Sequence, residues 1–165
     1  MPERAYNRED AVAYAMRWAL GRNPAYYDFE NLGGDCTNFA SQCLYAGSEV
    51  MNPRRTFGWY YYNLNNRSPS WTAVQYLQNF LLNNTSIGPY VRVVTIEEVM
   101  PGDVIQLCLS NGRYYHSPVV AQVGLVLAPD NVLLCAHTYD ALLRPLSDYT
   151  DAASFLCLHV VGVRY

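Results

Sequence analysis

An α+β architecture, with helices packed on an antiparallel sheet, follows from three features of this sequence. Helical periodicity fills the first half, short apolar runs fill the second, and an Asn-Gly pair joins two of those runs. Helices first and strands later argue against the strict alternation that builds a parallel sheet. The expected division is a helical part over 1–90 and a mainly β part over 91–165. The chain has 165 residues. That length favours one domain and can bury a core without disulfides or metals.

Asn7 is placed to cap a first helix, with Glu9 and Asp10 at its positive end. Val12, Ala15, Met16, Ala19 and Leu20 recur at helical spacing, and Gly21 is its stop. Asn23-Pro24 opens a loop that runs through Tyr26-Tyr27 to Gly33-Gly34. A second helix starts near Asp35, which is placed to cap it. Cys36, Phe39, Ala40, Cys43 and Leu44 form its apolar face, and Gly47 is its end. Residues 48–67 read as irregular. Ser68 or Ser70 then caps a third helix that carries Trp71, Val74, Leu77, Phe80 and Leu81 on one face.

Residues 95–98 have the form of a capping box, and 103–109 form an apolar run suited to a buried strand. Asn111-Gly112 turns that run into a hairpin. Further strands are expected from about Tyr114, near 132–137 and over 155–163.

Composition narrows the function. The net charge is −3, all eleven basic residues are Arg, and they form no run. A nucleic-acid partner is therefore not expected. No apolar run is long enough to span a bilayer, so no membrane partner is expected either. The five cysteines show no CxxC and no zinc spacing, so neither metal nor other cofactor is implied. Met1-Pro2-Glu3-Arg4 opens no signal peptide. The chain as given reads as cytoplasmic with reduced thiols, or as secreted if it is a piece of a longer protein. The fifteen tyrosines, clustered at 26–27, 60–62 and 114–115, suit either core edges or an aromatic groove.

Cys36 follows Gly33-Gly34-Asp35 at a helix start. Free N–H groups and the helix dipole favour a thiolate there, and the same N–H groups can hold an oxyanion. From local context alone, Cys36 is either such a nucleophile or a small residue on a buried face. A nucleophilic thiol needs a base, and only His116, His137 and His159 exist. His159 lies inside the last apolar run and reads as structural.

The segments YNREDAVAYAMRWA, NPAYYDFENLGGDCTNFASQCLYAG, WYY, SPSWTAVQYL, GDVIQL, HSPVV and AHTYD occur in an order that resembles the bacterial "Putative amidase domain" family. That family looks like a branch of the papain-like cell-wall hydrolases, with NlpC-type and CHAP domains as cousins. The resemblance implies a papain-like fold and a cysteine amidohydrolase acting on a peptide or peptidoglycan-like amide. Cys36 would be the nucleophile, His116 the general base that forms an ion pair with it, and His137 the group that orients His116. Cys36 N–H would donate to the oxyanion, with Tyr26 or Tyr27 as candidates for a second donor. Trp59, Tyr61, Tyr62 and Trp71 suit either a substrate groove or the core. An acyltransferase and an inactive glycan- or peptide-binding module are the competing readings.

The two histidines impose a geometric condition. If 128–131 were the tip of a tight hairpin, His137 would pair near Gln122, about 20 Å from His116 at the rise of a strand. They come level only if 123–131 leave the ladder as a loop or bulged excursion. A straight ladder over 120–127 would instead turn attention to Asp140 or Asn131 as the third group.

Overall fold

The computed structural model describes residues 1–165. Strand β1 (Glu3–Arg4) leads into helix α1 (Arg8–Trp18), and α2 (Cys36–Ser48) follows a long loop. A small hairpin of β2 (Tyr61–Asn63) and β3 (Asn66–Arg67) precedes α3 (Pro69–Thr72) and α4 (Val74–Asn83). The remainder is strand: β4 (Gly88–Val94), β5 (Val104–Cys108), β6 (Tyr114–His116), β7 (Val119–Val123), β8 (Val132–Ala136), β9 (Ala141–Pro145) and β10 (Ser154–Arg164).

The fold is α+β, with an eight-stranded sheet whose paired strands are all antiparallel. β10 runs between β4 on one side and β5 and β1 on the other. The order then continues through β7 and β8 to β9, with β6 also paired to β5. Successive residues of a strand point to opposite faces, and the sheet accordingly has two cores. One, of 23 buried residues, lies under the helices and includes Phe39, Leu44, Leu77, Val104, Val119 and Leu158. The other, of ten, covers the far face with Ile105, Leu107, Val120, Leu134, Leu146 and Tyr149.

Local chemistry accounts for most boundaries. The Asn7 side chain accepts from Asp10 N at 3.1 Å and starts α1. α2 does not stop at Gly47. It runs to Ser48, and Glu49 takes the left-handed position at φ 54°. Gly47 is needed for packing instead, since a Cβ there would lie 2.3 Å from the Tyr6 ring. The expected third helix is two helices, broken where Ala73 is extended. Ser68 stands at the start of the first, without a side-chain capping bond. The Asn-Gly turn is present, with Gly112 at φ 87°. The run after it divides into β6 and β7 around Ser117-Pro118, where Pro118 has no N–H to give a ladder. β4 and β9 were not foreseen.

The excursion after β7 is present. β7 ends at Val123, β8 begins at Val132, and Gly124 N donates to Asn131 O across the base of the loop. Val119 pairs with Cys135. That register brings His137 level with Ser117, one residue past His116.

Candidate active site

Cys36 is the first residue of α2 and is 8% exposed. Its sulfur lies 3.7 Å from Thr37 Oγ1. Burial pushes the thiol up from its ordinary value. The Thr37 hydroxyl and the backbone amides of Ser117 and Thr37 oppose that push, and Asp35 adds to it. Desolvation is the largest of these influences and disfavours a resting thiolate, the opposite direction to the helix-end effect expected from the sequence. Cys36 N–H has no backbone acceptor, as expected for the first turn of a helix.

A buried polar chain backs the thiol. Thr37 Oγ1 meets Ser117 Oγ at 3.3 Å, and Gln106 Nε2 donates to Ser117 Oγ at 3.2 Å and to Val74 O at 3.1 Å. Gln78 Nε2 donates to Gln106 Oε1 at 2.9 Å. The chain joins α2, β5, α4 and the β6–β7 junction inside the core. Sequence reasoning passed over it. The signal was a lone Gln106 in the otherwise apolar strand VIQLC, because a buried amide must find partners.

Asp35 does not cap α2. Its Oδ1 accepts from Phe29 N at 2.8 Å and from Asn38 Nδ2 at 2.9 Å, and its Oδ2 meets His137 Nδ1. His137 is 1% exposed. Its Nε2 donates to Trp18 O at 2.7 Å, and its ring stacks on Phe39 with centroids 4.1 Å apart. Both ring nitrogens are therefore engaged, and neither by His116. The orienting role expected of His137 is not what the structure places there. Strand alternation is the reason: the residue level with His137 on the helix-side face is Ser117, and His116 belongs to the opposite face.

His116 pairs across the ladder with Leu107, which lies in the far core. Its ring lies 5.7 Å from that of Tyr149 and 6.1 Å from that of Tyr115. Burial lowers its pKa to about 4, a shift that Asp151 opposes and Arg144 reinforces. The imidazole is therefore neutral at physiological pH, and its side chain makes no hydrogen bond in this structure. His159 is structural as expected. Its Nδ1 lies 2.9 Å from Asp103 Oδ2, and Asp103 also holds Arg8 at 2.7 Å. The two fallback groups are engaged elsewhere. Asp140 pairs with Arg22, and Asn131 bonds to Ala128 N and Val126 O within the excursion.

The aromatic candidates separate by burial. Trp59 and Trp71 are wholly buried and are not groove residues. Their indoles donate at 3.0 Å to Ser41 Oγ and Asn38 Oδ1, which satisfies two polar residues of α2. Tyr26 packs between Tyr61 and Trp71, at 5.1 and 6.1 Å. Tyr27 stands with its ring edge on Phe29, and its backbone N–H donates to the Tyr61 hydroxyl oxygen at 2.8 Å. No hydrogen bond ties either hydroxyl to Cys36. Tyr62 is 57% exposed.

The family model described as "Putative amidase domain" matches residues 5–158, a span that contains Cys36, His116 and His137. The chain belongs to this family. Family membership points this amidase domain toward hydrolase chemistry. It is also similar to "Uncharacterized protein YhbB" of Bacillus subtilis (strain 168), at 37% identity over 164 residues. That match covers 94% of this chain and 50% of the relative, so the chain spans about half the length of the curated relative it matches. No solved structure matches. No helix of the domain is long and apolar enough to cross a membrane.

Proposed function

We propose that this amidase domain is a papain-like cysteine amidohydrolase acting on a peptide or peptidoglycan-like amide. Cys36 Sγ attacks the carbonyl carbon, and His116 takes the thiol proton and returns it to the leaving amine. The acyl–Cys36 thioester is then hydrolysed by water that His116 deprotonates. The unpaired Cys36 N–H is the backbone donor available to the oxyanion.

The observation that carries this reading is the division of labour among three histidines. His137 and His159 are held by buried carboxylates. His116 is neutral and unbonded, and its neighbour Ser117 is the residue whose amide reaches the Cys36 sulfur. Thiol and imidazole are both uncharged at rest. The two side chains make no hydrogen bond in this structure, so the proposed mechanism requires the His116 ring to come within hydrogen-bond reach of the sulfur in the substrate complex.

The test is pre-steady-state acylation by p-nitrophenyl acetate, with the modified peptide mapped by mass. The expected result is a burst carried by Cys36, absent in Cys36→Ser and slower by about 100-fold or more in His116→Ala. A burst that survives Cys36→Ser would remove the nucleophile. An unchanged rate in His116→Ala would remove the base.

A further inference from the structure

The molecule distributes its charge unevenly. Between Glu49 and Glu97 the chain carries no acidic residue and four arginines, in a protein whose net charge is −3. This stretch builds two recesses that share Thr56. One has a volume of about 310 Å³ and is lined in part by Arg54, Phe57, Tyr76, Asn79, Asn83 and Thr85. The other includes Arg55, Tyr60, Tyr62 and Asn66. Neither recess contains an acidic residue, and neither contains Cys36.

The segment between the recesses is held rigidly at its base. Asn52 and Trp59 exchange both backbone bonds at 2.8 Å. Gly58 N donates to Arg54 O at 2.7 Å, and Arg54 N donates to Asn52 Oδ1 at 3.0 Å. Gly58 is required, since a Cβ there would lie 2.3 Å from two carbonyl oxygens. Thr56 sits at φ 68°, a costly conformation for a β-branched residue. The tip nevertheless turns its chemistry outward. Phe57 is 70% exposed, Tyr62 57% and Tyr76 47%. The structure gives Arg54 and Arg55 no ion pair and no side-chain hydrogen bond.

The geometry points to a binding site for an acidic saccharide across the Arg54–Phe57 tip, separate from the Cys36 site. Exposed ring faces stack on the apolar faces of sugar rings, the free amide and hydroxyl groups of Asn79, Asn83, Thr56 and Thr85 meet sugar hydroxyls, and Arg54 pairs with a carboxylate. Hydrophobic residues supply only three of the twelve lining positions of the Arg54 recess, too few to make the apolar anchor pockets that a peptide's side chains need. A preorganised tip lowers the ordering cost of binding.

The probe is tri-galacturonate, titrated into the full chain by calorimetry, with maltotriose as the neutral sugar and a hexaglutamate peptide as the acidic non-sugar. Tri-galacturonate is expected to bind more tightly than either, and more weakly as salt rises. Arg54→Gln and Phe57→Ala are each expected to weaken it about tenfold or more, with circular dichroism unchanged because both side chains are exposed. Arg113→Gln, on the β5–β6 hairpin and lining neither recess, is expected to change nothing. Absence of tri-galacturonate binding, or equal binding by both groove variants, overturns the site. Tighter binding of the peptide overturns the saccharide assignment, and equal binding of maltotriose overturns the role of Arg54. Cys36→Ser is expected to bind normally, so this result stands apart from the acylation test.

Discussion

His137 and His159 each meet a buried aspartate, whereas His116 meets tyrosine rings and no hydrogen-bond partner. The Asp35–His137 contact joins positions 102 apart in the chain, and the Asp103–His159 contact joins positions 56 apart. Both aspartates also collect backbone N–H groups, Phe29 at the first and Met100 and Val160 at the second. These pairs act as struts that fasten loops to the sheet. His137, with both ring nitrogens engaged, has no lone pair to lend to a thiol, and His159 is held through Nδ1 by Asp103. The contrast is that two of the three imidazoles are tied to carboxylates and the third, the proposed base, is left unbonded.

Removing a strut breaks the comparison most severely. Asp103→Ala removes the carboxylate partner of Arg8 and leaves His159 Nδ1 and two backbone amides without their acceptor, and is expected to cost about 3–5 kcal/mol. A lowered urea midpoint at constant m value is the readout. Asp35→Ala is expected to cost about 3 kcal/mol by the same mechanism. It should also slow Cys36 acylation, because Asp35 directly precedes the proposed nucleophile, whereas Asp103→Ala should leave acylation per folded molecule unchanged. Equal effects of the two variants on acylation would mean that Asp35 is a strut and nothing more.

The free histidine has a pH signature of its own. Its folded pKa of about 4 lies below the ordinary 6.5, so the unfolded chain binds a proton that the folded chain refuses. The stability from keeping His116 neutral is fully present above pH 6.5 and is lost as pH falls toward 4, at most about 3 kcal/mol. In His116→Gln this part of the acid dependence should disappear. A wild-type curve that is flat over that window, or a variant curve identical to it, would show that the ring titrates normally. The mildest perturbation is Gln106→Leu, which removes the hub of the polar chain behind Thr37. It is expected to cost about 1–3 kcal/mol, measured as a shift in thermal midpoint, while Cys36 stays in place.

Much of this was legible in the sequence because it is local. The cap at Asn7, the apolar face of α2 and the hairpin at Gly112 rest on neighbouring residues and their φ preferences. The unusual cysteine was visible from Gly33-Gly34-Asp35 and from family resemblance. The break at Ala73 was not visible, because the periodicity of α3 and α4 is almost continuous. β9 was not visible either, since its pattern differs little from a loop until β8 lies beside it.

The sequence by itself determined which groups are available: one thiol at a helix start, three imidazoles, and an acid-free aromatic stretch from residue 50 to 96. Tertiary structure alone decided their partners. A strand's alternation is written in its residues, but its phase relative to the helix layer depends on pairing with distant strands. That phase put Ser117 rather than His116 level with His137 on the helix side, and gave His137 to an aspartate 102 positions away. Burial was settled in the same way. Trp59 and Trp71 closed the core, while Phe57 was left on an exposed tip, because only the packed elements determine which side of a loop faces water.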